Sequence, residues 1–499
     1  MEDTRISDQD QKEEIGTVNN EKKALPTPVG SYPLELTEQE AILLSKTKTG
    51  PLSLFKNAKG KISASSFANY VRVISGDAYL AGRIKFNMFD GRQMVEGFYW
   101  DAEQHPIRDN DMANLRYFVD CRYMINNEKN LKGAILKVAC DNPYHPVRDF
   151  LNRLKWDGVE RIHELLPRYL GAERSDYTTA VTQLLFNGAI QRVFNPGCKF
   201  DYCIILADTK QGTGKSTMCR FLALTDEWYT DSIGSISDSK STFELMRGKW
   251  IVELGELLLV RKASDVETVK AFITRQTQDY REPYGIFAEN HPRQSIFIGT
   301  TNKPQFLPED KTGNRRFLPI ICDGVNNAEH HPLDDEAETR SYIQQCYAEA
   351  MYKGRENGFP LVLDKKFIEE LQQIQTTATP EDTRVGMIQE WLDKHAGEFV
   401  CSRMIWDNVF GPKDDDYSNH QPQKYELHDI SDIMNLKIDG WEKYRSDSGC
   451  EKKKFPKYGS QRAWRRVAED DPKPVAEPVA ELYADGFKPV DDDYVLPFS

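Results

Sequence analysis

Two glycines, a lysine and three hydroxyl residues stand together at Gly212, Thr213, Gly214, Lys215, Ser216 and Thr217. Before them, Cys203 to Leu206 is the short apolar run that a strand buried on both faces shows, and from Ser216 onward (STMCRFLAL) apolar residues recur at helical intervals. Glycines between a strand and a helix let the backbone turn its N–H groups inward around an anion, and the helix points its positive end at the same place. The stretch therefore reads as a phosphate-binding loop. Lys215 would reach the β- and γ-phosphates, and the Ser216 hydroxyl would hold Mg²⁺. The usual pattern G-x-x-x-x-G-K-[ST] has glycine where this chain has Thr209. A β-branched residue avoids positive φ, so the loop must begin with ordinary dihedrals.

Three further stretches carry chemistry of the same kind. In KWIVELGELL, Trp250 to Val252 read as a buried strand ending in Glu253, with Glu256 three residues later. A Mg²⁺-nucleotide site needs one acid beside the metal and one that positions the attacking water. Glu253 is the metal-side candidate with Ser216, although spacing leaves open which of the two glutamates activates water. QSIFIGTTNK is a β-rich run ending in Thr300, Thr301 and Asn302, and Asn302 at a strand tip can orient water against the γ-phosphate. In GNRRFLPI, Arg315 and Arg316 precede another apolar strand, from which an arginine can reach a neighbouring subunit's nucleotide. Between the second and third stretches, Lys270, Arg275, Arg281 and Arg293 interleave with Tyr280, Tyr284 and Phe287, a mixture suited to gripping the phosphates and bases of a single strand. A second basic segment, Gly440 to Arg466, includes Lys452, Lys453 and Lys454 and has a net charge of +6. Short helices before it fit a winged-helix DNA binder.

The elements that must position these residues divide the chain. Its 499 residues exceed one core, and the longest apolar runs fall short of a bilayer span. The opening MEDTRISDQDQKEE is acidic, unlike a signal peptide, so a cytoplasmic protein without a membrane partner is expected. Nine cysteines without a C-x-x-C pair predict reduced packing thiols rather than a zinc site. Residues 1–50 are predicted to be disordered apart from a possible helix over 37–45. A small mixed α/β domain is expected over 51–145, a helical collar over 146–195, the ATPase core over 196–324 and a helical extension over 325–380. Tyr177 to Phe194 is read as a long amphipathic helix in the collar. The winged-helix-like domain is expected over 386–466. The tail, 467–499, holds nine acids against two lysines and is predicted to be disordered. In the N-terminal domain Asp109 and Asp111 have a spacing that metal-dependent polymerase sites use, but helix capping is the simpler reading. His163 is assigned to packing or surface.

The blocks NPGCKFDY (195–202), QGTGKST (211–217), WIVELGEL (250–257), DYREPYG (279–285), GTTN (299–302), GNRRFLP (313–319) and YGSQRAW (458–464) together resemble the virulence-associated E family of phage and prophage proteins. That family is related to superfamily-three helicases within the AAA+ class, and the resemblance spans roughly residues 145–466. It implies a P-loop NTPase core, hydrolysis of ATP with Mg²⁺, and a ring, often hexameric, acting on single-stranded DNA in the bacterial host cell. Replication-initiation or primase proteins are the implied partners, although no primase motif is found in this chain. The leading expectation is an ATP-dependent DNA helicase or translocase for a phage or mobile element. The alternative is a nucleotide-switched DNA-binding or phage-interference protein that does not unwind.

Overall fold

The computed structural model describes residues 52–233, 240–255, 263–280, 289–308, 314–411, 421–446 and 449–467. The expected helix over 37–45 and the acidic tail beyond Val467 lie outside them. The chain divides into two units, Met1–Pro380 and Glu381–Ser499. The divide falls where Pro380 bars continuation of the helix Ile368–Ala378 and the Asp382 carboxylate caps the next helix, Thr383–Lys394, by accepting from the Arg384 N–H.

The first unit begins with a small mixed α/β layer. Strands β1 (Ile84–Asn87), β2 (Arg92–Val95), β3 (His105–Pro106) and β4 (Pro143–Tyr144) form a sheet in the order β3-β2-β1-β4. Helices Phe67–Gly76, Asp109–Tyr123 and Glu128–Asp141 pack with it around a core of its own, built on Tyr70, Val73, Leu115, Val119 and Ile135. Asp111 serves the helix start, its carboxylate accepting from the Arg108 N–H at 2.8 Å, from Trp100 Nε1 at 2.9 Å and bonding His105 Nε2 at 3.1 Å. Those partners use the carboxylate for capping and packing, although the N-cap itself is Arg108 and Asp111 is the third helical residue.

The main sheet has five parallel strands in the order β11-β5-β10-β7-β6: β5 (Cys203–Ala207), β6 (Tyr229–Thr230), β7 (Ile251–Leu254), β10 (Ile296–Thr301) and β11 (Phe317–Ile321). Strands β8 (Thr277–Tyr280) and β9 (Glu289–Pro292) pair antiparallel as a separate hairpin just before β10. Strand alternation sends Ile204, Leu206, Ile298 and Leu318 to one face, and Cys203, Ile205, Phe297 and Phe317 to the other. Both faces are covered, which is why these strands read as continuous apolar runs. Helices Asp176–Phe194 and Glu336–Asn357 contribute to the first core, and Ala263–Thr274 to the second. Helix Asp176–Phe194, expected to be amphipathic, is instead buried nearly all round, with Thr178, Thr182, Asn187 and Arg192 inside alongside Leu184 and Phe186. Three of its polar side chains find backbone partners: Thr182 Oγ1 donates to Thr178 O at 2.7 Å, Asn187 Nδ2 to Pro360 O at 3.1 Å, and Arg192 Nη2 to Phe200 O at 2.9 Å. Trp250, just before β7, joins helix and sheet. Its Nε1 donates to Ala189 O at 2.9 Å and its ring stacks on Tyr347 with centroids 4.9 Å apart. His163 is partly exposed on helix Ile162–Leu170, 3.9 Å from Glu164.

His145 ties helix Pro146–Arg153 to Gln294, in the link between β9 and β10. Its Nδ1 accepts from the Arg148 N–H at 3.2 Å, so its Nε2 carries the proton and donates to Gln294 Oε1 at 2.7 Å. Burial pushes its pKa down to about 4 from an ordinary 6.5. The unfolded chain then binds the proton first as pH falls, so this contribution is complete above pH 6.5 and is lost progressively between 6.5 and about 4. The effect is on the order of 3 kcal/mol. Denaturation midpoints measured across that window are expected to fall more steeply for the wild type than for His145→Gln; parallel curves would refute the assignment.

The second unit packs helices Thr383–Lys394 and Lys424–Leu436 against an antiparallel sheet of β12 (Phe399–Val400), β16 (Trp464–Arg466) and β13 (Trp441–Lys443), in that order. A hairpin of β14 (Lys452–Phe455) and β15 (Gly459–Arg462) precedes β16. The core gathers Ile388, Leu392, Ile430, Ile433, Trp441 and Trp464. Trp464 Nε1 donates to Asn435 Oδ1 at 2.9 Å. No helix among the described residues is long and apolar enough to cross a membrane.

Candidate active site

The loop from Asp208 to Gly214 leaves the carboxyl end of β5 and enters helix Lys215–Leu222. Gly212 and Gly214 have φ of 74° and 88°, the left-handed conformation that the tight turn requires. Thr209 is not among the described residues with positive φ, so the loop starts with ordinary dihedrals. Ser216 and Thr217 lie in the first turn of the helix, whose leading N–H groups lack helical acceptors.

Lys215 folds back over this loop and is only 7% exposed. Its Nζ donates to Lys210 O at 3.2 Å, Thr213 Oγ1 at 3.1 Å and Asn302 Oδ1 at 2.8 Å. Burial holds its ammonium below the usual lysine range, while Asp208 and Glu253 pull the other way. Asn302 reaches Lys215 because it directly follows β10, whose last residue Thr301 pairs with Ala207 at the end of β5.

Glu253 is the third of four residues in β7, rather than the last residue of the strand, and is 3% exposed. Three hydroxyls surround its carboxylate. Ser216 Oγ donates to Oε1 at 2.7 Å, Thr300 Oγ1 to Oε1 at 2.6 Å, and Tyr229 OH to Oε2 at 2.5 Å. Burial, followed by the bond to Glu253, pushes the Tyr229 hydroxyl far above its ordinary range, so it remains a donor. Lys215, Ser216, Glu253, Thr300 and Asn302 are thus brought together at the carboxyl ends of three adjacent parallel strands. Glu256 lies outside the described residues.

Arg315 and Arg316 stand in the turn before β11, both partly buried. Phe317 pairs with Cys203 and Ile321 with Ala207, so the arginines sit at the opposite end of the sheet from the loop. The strand length between them, five residues at about 3.3 Å each, amounts to roughly 16 Å. They are not brought into this chain's own site.

The DNA-binding candidates are dispersed. Lys270 is 1% exposed on helix Ala263–Thr274, among Val266, Val269, Phe272 and Ile273, with Glu267 Oε1 at 3.7 Å. Its place on the buried face removes it from the phosphate-gripping set, and Arg293 is excluded likewise, its Nη1 donating to Ile273 O at 3.2 Å. The guanidinium of Arg275 lies 5.8 Å from the Phe243 ring, partly buried. Arg281 and Tyr284 lie outside the described residues. In the second unit, strand alternation splits the three lysines: Lys452 and Lys454 are exposed, whereas Lys453 turns inward, its Nζ 3.4 Å from the Phe399 ring centroid and 5.3 Å from that of Tyr444. Two of the three therefore remain as a basic face.

Sequence reasoning missed Asp208, Tyr229 and His331. Asp208 accepts from the Lys210 N–H at 2.9 Å and the Gly324 N–H at 3.0 Å; its place at the end of an apolar run was a legible signal. Tyr229 meets Glu253 only because β6 pairs with β7, and the spacing carried no sign of it. His331 Nε2 lies 3.2 Å from Gly212 O. The buried Cys322 thiol, near Lys215, is pushed up to about 12 by burial and stays protonated.

Residues 151–380 match the family model described as the virulence-associated protein E-like domain. No match is found among curated proteins. Among solved structures, the apo structure of the NrS-1 C terminal region is similar at 14% identity and a TM-score of 0.41, covering 77% of this chain and 96% of that chain. The A form apo structure of the same region gives a TM-score of 0.43 at 14% identity, with 77% and 96% covered.

Proposed function

With residues 151–380 belonging to the virulence-associated protein E-like family, we propose that this chain is an ATP hydrolase that drives translocation or unwinding on DNA during replication of a phage or mobile element. The observation that carries this reading is the gathering of Lys215, Ser216, Glu253 and Asn302 around a loop with two left-handed glycines. A P-loop core of the AAA+ type is supported by the strand order β11-β5-β10-β7-β6, with the loop leaving β5 between β11 and β10. The residues present fit ATP and Mg²⁺. Ser216 Oγ and Glu253 Oε1, 2.7 Å apart, are hard oxygen donors beside an anion cradle. Bound Mg²⁺ would neutralise phosphate charge as the γ-phosphoryl leaves. In that state Lys215 would exchange its loop carbonyl for phosphate oxygens, and Asn302 would be released to hold water.

The arginine pair supports a ring. Standing at the far end of β11, Arg315 and Arg316 would serve a nucleotide held by the next subunit, in a homo-oligomer such as a hexamer. Single-stranded DNA would be held by Arg281 and Tyr284, which lie in sequence between β8 and β9, together with Arg275. The helices and hairpin of the second unit support a winged-helix-like DNA binder with Lys452 and Lys454 outermost.

ATPase assays with and without single-stranded DNA, run beside strand displacement of a forked duplex, test the proposal. Hydrolysis stimulated by DNA together with displacement is expected. Hydrolysis without displacement or movement would favour a nucleotide-switched DNA-binding or phage-interference protein. No hydrolysis under any condition would overturn the enzyme reading.

A further inference from the structure

The segment that follows β11 turns back over the phosphate loop and touches it at three points. First, the Gly324 N–H donates to Asp208 Oδ2 at 3.0 Å, and the Gly324 backbone lies so close that a Cβ there would stand 2.8 Å from Thr213 Cβ. Second, His331 Nε2 lies 3.2 Å from Gly212 O. Third, Pro332 packs on Gly214, where a Cβ would meet Pro332 Cδ at 2.6 Å.

The histidine's tautomer is fixed by its other nitrogen. Nδ1 accepts from the Leu333 N–H at 3.2 Å and so carries no proton, which leaves Nε2–H to donate to Gly212 O. The segment is itself anchored: the His331 N–H donates to Asp334 Oδ2 at 2.7 Å, and the buried Thr339 Oγ1 donates to Pro332 O at 3.1 Å. In a planar trans peptide the C=O and N–H point opposite ways. A Gly212 carbonyl held outward by His331 therefore turns the Thr213 N–H toward the inside of the loop, where an anion would lie.

We propose that His331 is a positioning residue for nucleotide binding, presetting the phosphate loop from outside through the Gly212–Thr213 peptide, with Gly324 and Pro332 completing the brace. This rests on the reading of the loop as a nucleotide site. It also supplies a reason why a loop that begins with Thr209 instead of glycine can be held in shape: part of its conformation is imposed by residues 324–332. Because the brace acts before any chemistry, its loss weakens binding and leaves turnover of bound nucleotide intact.

The test uses the full chain, a fluorescent ADP analogue for affinity and steady-state ATP hydrolysis for KM and kcat. His331→Phe, which keeps a ring without a donor, is expected to raise Kd and KM roughly fivefold, the net worth of one hydrogen bond, with kcat within about twofold. His331→Gln, whose terminal amide places an N–H near the same spot, is expected to restore most of the affinity. Gly324→Ala, which presses on Thr213 without touching His331, should weaken the same binding step. Wild-type affinity in His331→Phe, or equal weakness in His331→Phe and His331→Gln, would overturn the brace. A Lys215→Ala control that binds the analogue as tightly as wild type would overturn the nucleotide reading, and the brace with it. Loss of binding in that control beside unaltered binding in His331→Phe would sink the brace alone.

Discussion

Lys215→Ala is expected to lower ATP turnover by ~10²- to 10³-fold while the protein still folds, because the loop loses the cation proposed to meet the phosphates and no apolar core side chain is removed. The rate loss corresponds to about 3–4 kcal/mol of transition-state stabilisation. The folding side of the prediction comes from what Lys215 does in the absence of nucleotide. Its ammonium is buried, its pKa is held down by that burial, and it satisfies Lys210 O, Thr213 Oγ1 and Asn302 Oδ1. Removing it costs those three bonds but also relieves the desolvation of a charge, and Lys210 among the acceptors is exposed to water. Stability is therefore expected to change by no more than about 1 kcal/mol. Hydrolysis rates with an equilibrium unfolding curve check both halves. A wild-type rate would refute the site, and a chain that no longer folds would show that the lysine's work is structural.

What was legible in the sequence was local. The strand, glycine turn and helix around Lys215 are contiguous, so the apolar run and the glycine positions fixed their geometry without knowledge of the rest of the sheet. The ordinary dihedrals at Thr209 followed from its β-branched side chain alone. Contacts across the sheet were not legible. Tyr229 reaches Glu253 through the pairing of β6 with β7, and His331 reaches Gly212 across more than a hundred residues. Two errors arose from reading charge as exposure. Lys270 looked like a phosphate contact, yet its helix lays that face on the sheet; Lys453 looked like its two neighbours, yet the pleat turns it onto Phe399. Helix Asp176–Phe194 misled in the opposite sense. Its threonines, asparagine and arginine imitate a wet face, but Thr182, Asn187 and Arg192 each bond a backbone carbonyl inside the core, so the helix is enclosed rather than amphipathic.

Glu253→Gln separates binding from hydrolysis, and its outcome follows from the three hydroxyls on the carboxylate. An amide is nearly isosteric with the acid, and its oxygen can still accept from Ser216 and Thr300, while its NH₂ can donate to the Tyr229 oxygen once that hydroxyl turns. The packing of β7 is therefore expected to survive. What disappears is the negative charge, and with it either a metal-side anion or the group that orients the attacking water. Turnover is expected to fall at least ~10²-fold, with affinity for a nucleotide diphosphate analogue retained within a few-fold, because Lys215 and the glycine cradle are untouched. Glu256→Gln measured alongside assigns the roles: the variant that binds Mg²⁺-ATP tightly but hydrolyses it slowly carries the water-positioning acid, and the one whose binding becomes insensitive to Mg²⁺ carries the metal-side acid. If Glu253→Gln hydrolysed ATP at the wild-type rate, its three hydroxyl bonds would be a structural tie between β6, β7, β10 and the loop helix, and the catalytic reading of this strand would fail.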